Sequence, residues 1–190
     1  MPINMGDPGS ENGAVGGAHP SGKTGIPVQA LGPDFEGRER VFLVVVDDTA
    51  EWQSALRFAC RRAAHTGGRL ALLAIIEPVG FQHWMAVEEK MRQEIREEVE
   101  RRLGAIAEQV QEMIGRYPII HIREGKPTEE LIGLIEEEPC ISVLVLAARG
   151  GGDGPGPLIS FVTGKGIGRM RVPITIVPAT LADDAIDALA

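Results

Sequence analysis

Five short, nearly unbroken apolar runs punctuate the chain from Val41 onward: Val41–Val46, Leu70–Ile76, Ile119–Ile122, Ile141–Ala148 and Pro173–Val177. They are rich in Val, Ile and Leu and do not alternate with polar residues. A sheet with one wet face needs that alternation, whereas a strand covered on both faces does not. The runs therefore predict a parallel sheet with helices on both sides.

The segments between the runs carry helical periodicity. Trp52, Ala55, Leu56, Ala59 and Ala63 recur at steps of three and four, as do Trp84, Val87, Met91, Ile95, Val99, Leu103, Ile106, Val110 and Met113. The outer face of the second helix is charged, and Glu88→Arg92, Glu97→Arg101 and Glu98→Arg102 are spaced for favourable i,i+4 pairs. A third helix opens at Pro127, a good first-turn residue, and continues through Leu131, Leu134 and Ile135. A fourth covers about Ile159–Met170. Strand and helix alternate throughout, which is the signature of a doubly wound α/β domain.

Residues 1–39 differ. Gly and Pro fill 14 of the first 40 positions, well above their usual roughly 12%. No period is visible, so a disordered tail is expected, followed by one domain over 40–180. Residues 181–190 form a short helix or tail. The opening residues lack the basic and apolar regions of a secretory signal, and no run approaches the roughly 18 apolar residues of a membrane span. Two cysteines, Cys60 and Cys140, suit a reduced, cytoplasmic chain and read as inert core thiols. Net charge is −8, which argues against a nucleic-acid partner.

Several motifs carry chemistry. Gly17-Ala18-His19-Pro20-Ser21-Gly22-Lys23-Thr24 fits the phosphate-loop pattern. It lacks a preceding strand, and Pro27 follows closely where a helix should run, so it reads as chance. Asp47 and Asp48 end the first strand, where open α/β sheets bind ligands. Asp47 there accepts from a ribose hydroxyl or adenine amine, or helps hold a metal; Asp48 or Thr49 caps the next helix. After the fourth strand, a Gly-rich stretch from Gly150 with Arg149 and Lys165 nearby suits an anion. His19, His65, His83 and His121 lack metal-ligand spacing. No nucleophile–base set is visible, so no catalytic residues are assigned.

Taken together, Val45-Val46-Asp47-Asp48-Thr49-Ala50, Leu72-Leu73-Ala74-Ile75-Ile76-Glu77-Pro78, Glu124-Gly125-Lys126-Pro127 and Val172-Pro173-Ile174-Thr175-Ile176-Val177-Pro178 resemble the universal stress protein family over about 140 residues. The resemblance implies a five-stranded parallel sheet in the order 3-2-1-4-5, with an adenine-nucleotide site between strands 1 and 4. ATP-binding members carry Gly-x2-Gly-x9-Gly-[Ser/Thr] after strand 4. Counted back from Pro173, this chain offers Ala147, Gly150, Ser160 and Phe161. Asp47 matches the family's first-strand Asp, and Ile75 its apolar residue beside adenine; Val162 follows on the phosphate side.

The resemblance thus implies a regulatory module binding ATP or AMP, with Mg only if ATP binds. The motif departs on the phosphate half, so AMP is expected to bind more tightly. The alternative is a relative that binds no ATP and acts through dimer or partner-protein contacts. The resemblance also implies a homodimer through the Pro173–Val177 edge strand.

Overall fold

The computed structural model describes residues 39–78, 85–150 and 154–190, with the side chains of 85–88 excepted. The expected tail and its Gly17–Thr24 motif lie outside the described residues. Five parallel strands, β1 (Val41–Val45), β2 (Arg69–Ile76), β3 (Ile119–Glu124), β4 (Ile141–Ala148) and β5 (Ile174–Pro178), form one sheet in the order β3-β2-β1-β4-β5. The helices are α1 (Trp52–Thr66), α2 (Met85–Ile114), α3 (Pro127–Glu137), α4 (Pro157–Thr163) and α5 (Asp183–Leu189).

Side chains on a strand point to alternate faces, and both faces here are apolar. Phe42, Val44 and Val46 pack with Ala55, Ala59, Leu103 and Val110 against α1 and α2. Val41 and Leu43 point the other way, into Leu131, Leu134, Ile135 and Ile159 of α3 and α4. This two-sided burial is why β1 reads as a solid apolar run.

The chain connections are local. Gly67 ends α1 in the left-handed region at φ 67°, and its N–H bonds to Ala63 O, a conformation that costs glycine little. Arg171, just ahead of β5, donates from Nε to Ile135 O at 2.6 Å and from Nη2 to Glu138 O at 2.6 Å, so it closes the end of α3. α5 docks on α1 through a fork: Arg57 Nη2 and Arg61 Nη2 reach Asp187 Oδ2 at 2.7 and 2.6 Å, while Ile186 is buried beneath.

Three expectations change. The fourth helix does not run to Met170. Gly164 and Gly166 both send their N–H groups to Phe161 O, at 3.2 and 2.9 Å, so the α ladder stops and only a 3-10 turn, Ile167–Arg169, follows. Among the pairs on α2, Arg101 instead meets Glu98, three residues earlier, and Arg102 leaves the helix surface for Asp48 at 2.5 Å; the Glu88 side chain lies outside the described residues. Neither Asp48 nor Thr49 caps α1, whose N-cap is Glu51 with no side-chain cap bond. No described helix is long and apolar enough to cross a membrane.

Candidate functional site

β1 is central, and the chain leaves it toward β2 on one side while β4 joins it on the other. Connections diverge there, so the carboxyl ends of β1 and β4 border a crevice. The first residues past β1 form a small polar knot. Asp47 Oδ1 accepts from the Thr49 N–H at 3.0 Å and from the Thr49 hydroxyl at 2.6 Å. One carboxylate oxygen is thereby fixed by two donors. Glu51 stands behind this knot. The Thr49 hydroxyl, the Glu51 backbone and the Arg149 charge hold its carboxyl below the ordinary range, and Arg149 Nε lies 3.4 Å from it.

The crevice is a cleft of about 700 Å³, within the range of small-molecule sites. Its floor is apolar: Val45, Val46, Ile75, Leu146 and Ala147 at the strand ends. Trp52 of α1 forms one flank, and Pro155, Gly156 and Leu158 at the opening of α4 form another. The remaining wall is α2, which contributes Met91, Glu94, Ile95, Glu98, Val99 and Arg102. Two clasps hold that wall across the sheet end. Arg102 reaches Asp48 beyond β1, while Arg92 and Arg96 both reach Glu124 at the end of β3. Arg92 first, and Arg96 more weakly, keep the Glu124 carboxyl below its ordinary range.

The charge on the lining is lopsided. Asp47, Asp48, Glu51, Glu77, Glu94 and Glu98 are acidic, against Arg102 and Arg149. Both arginines already face carboxylates. Arg102 Nε is buried without a hydrogen-bond partner, so its charge is engaged on one side only. Cys60 lies in the core, where burial pushes its thiol up to about 12, and takes no part. Among the described residues no three His, Cys, Asp or Glu side chains stand together in a way that could hold a metal.

The cleft brings together Asp47, Ile75 and Ala147 of the residues singled out from sequence. Gly150, Ser160, Phe161 and Val162 are not among its lining residues. Gly150 faces Thr180, whose methyl would stand 2.7 Å from an added Cβ. The Ser160 hydroxyl donates back to Gly156 O at 2.8 Å. The Phe161 ring lies against Gly166, and Val162 is buried in the core. The α2 residues went unassigned because their spacing is that of any core-facing stripe.

Residues 39–178 match the sequence profile described as the universal stress protein family. The chain belongs to the universal stress protein family. Solved structures agree on the fold. Universal stress protein UspA from Lactobacillus plantarum is 19% identical, with 74% of this chain and 98% of that chain covered and a TM-score of 0.61. A universal stress family protein from Burkholderia pseudomallei is 19% identical, with 73% and 95% covered and a TM-score of 0.56. One from Archaeoglobus fulgidus is 16% identical, with 73% and 98% covered and a TM-score of 0.56. No curated protein matches the sequence.

The Gly-rich motif has a second register in this universal stress protein. Gly151, Gly154 and Gly164 meet the Gly-x2-Gly-x9-Gly spacing in full, and Lys165 follows where a Ser or Thr is usual. Counting back from Pro173 passes over it because that count assumes a full helix before β5. The structure has only the 3-10 turn there.

Proposed function

We propose that this universal stress protein is a regulatory module that binds an adenine nucleoside or its monophosphate in the cleft beside Asp47. The observation that carries this reading is a cleft of about 700 Å³ with an apolar floor and a half-committed carboxylate at its rim. A flat ring is stabilised on such a floor by roughly 25 cal/mol per Å² of apolar surface removed from water. The other carboxylate oxygen of Asp47 accepts from the sugar hydroxyls or the amine.

Phosphate number follows from charge. Six acidic side chains against two arginines make the lining repulsive to a polyanion. Each close pair of unit charges near a surface is worth about 1–4 kcal/mol at 4 Å. Adenosine and AMP are therefore favoured over ATP, and ATP gains most from Mg.

Calorimetric titration with adenosine, AMP, ATP and Mg–ATP tests this. AMP should bind at least roughly tenfold more tightly than metal-free ATP, a difference of ~1.4 kcal/mol. Asp47→Ala should weaken AMP by a similar factor. Absence of binding by all four at millimolar concentration, or a preference for metal-free ATP, would sink the reading.

A second reading rests on the edge strand. Among the described residues β5 pairs only with β4, and Ile176 on it is exposed. An open apolar edge pairs readily with another chain. We propose a homodimer through this strand, and sedimentation at micromolar concentration should give twice the 20.4 kDa of one chain. A monomer at that concentration would dispose of it.

A further inference from the structure

The first half of α2 is built as a wall of the cleft and not as part of the core. Met91, Ile95 and Val99 stand at i, i+4 and i+8, so they share one helix face. All three line the cleft. Val99 also touches the edge of the core beneath α1, whereas Met91 and Ile95 pack into neither core cluster. Met91 is 39% exposed.

The clasps at Glu124 and Asp48 fix this half of the helix across the sheet end at two places. The stripe lines the same cleft as the floor residues Val46 and Ile75. The volume, about 700 Å³, suits one small molecule and not a protein segment. Glu94 and Glu98 also line the cleft, next to the stripe. Two carboxylates turn a phosphate away, so an uncharged ring is the part of a nucleotide that can come to rest there. Arg149, past the end of β4, also lines the cleft.

From this we infer that Met91 and Ile95 form the base-recognition surface of the site: the ligand's ring is held between the α2 stripe and the strand ends, with its phosphate directed away from α2. This rests on the nucleoside reading above and adds the orientation and the residues that select the ring.

The test uses the full chain and three probes: adenosine, AMP and ribose 5-phosphate, which has the sugar phosphate without the ring. The variant is Met91→Ser/Ile95→Ser, with thermal melting measured beside binding. Adenosine and AMP affinity should fall at least tenfold, ribose 5-phosphate should bind variant and wild type alike, and the melting temperature should stay within a degree or two. Equal adenosine affinity in variant and wild type overturns the inference and leaves the nucleoside reading standing. Parallel loss of ribose 5-phosphate overturns the orientation. A melting temperature lowered by many degrees shows the stripe to be core, which also overturns it. If wild type binds none of the three probes, the nucleoside reading fails and the inference falls with it. Ile95→Val, which keeps an apolar surface, should retain most of the affinity.

Discussion

The two halves of α2 carry the same apolar spacing and have different fates. In the second half, Leu103, Ile106, Ala107 and Val110 are buried against the sheet. In the first half, no side chain from residue 89 to 102 is buried. At 30 residues the helix is about 45 Å long, longer than the strands it covers, so its first half overhangs their carboxyl ends. An amphipathic stripe therefore reports only that one face seeks cover. Whether protein or ligand provides the cover depends on where the sheet stops.

The largest contrast is expected from truncating one apolar residue in each half. Leu103 is fully buried, so Leu103→Ala should cost about 2–5 kcal/mol in urea unfolding. Ile95→Ala should fall within about 0.5 kcal/mol of wild type, as surface changes do. Similar losses at both positions would erase the distinction.

A smaller effect is expected at the clasp. Glu124→Gln removes the charge that Arg92 and Arg96 share. Amide exchange in the first half of α2 should quicken severalfold, while residues 103–114 keep their protection. Uniform change along the helix would mean that its halves are one unit. The least effect is expected from mild acid. Glu124 has a depressed carboxyl, so its contribution is complete above its ordinary range. It fades as pH falls below about 4.5 and through the lowered value. Exchange in the first half should therefore begin to rise only below that pH, and a rise between pH 7 and 5 would contradict the clasp.

The layers of the fold could be read from the chain because double-sided burial writes itself as solid runs such as Val41–Val46. The strand order came from the family resemblance and is the one observed. Of the residues that line the cleft, Asp47 was legible because strand ends in open α/β sheets are where ligands gather, whereas Ile75 and Ala147 came from the family resemblance. The overhang of α2 was not legible: Met91, Ile95 and Val99 repeat at helical spacing just as Leu103, Ile106 and Val110 do, and no local signal marks where the sheet ends. The fourth helix misled in the same way. Ile167 and Met170 keep the period of Ile159 and Val162, and only Gly164 and Gly166 record the break.

Arg171 ties distant parts of the chain into one folding event. Its guanidinium satisfies carbonyls at Ile135 and Glu138, more than thirty residues earlier, and it reaches them from its place just ahead of β5. The last turn of α3 is thus finished by a residue that is made long after it. Detaching β5 would uncover those carbonyls in a half-buried setting, where unpaired groups cost roughly 1–3 kcal/mol each. Residues 127–178 should then open together, so that the edge strand is lost with α3 or not at all, and a chain cut short of Arg171 would forfeit far more than one strand.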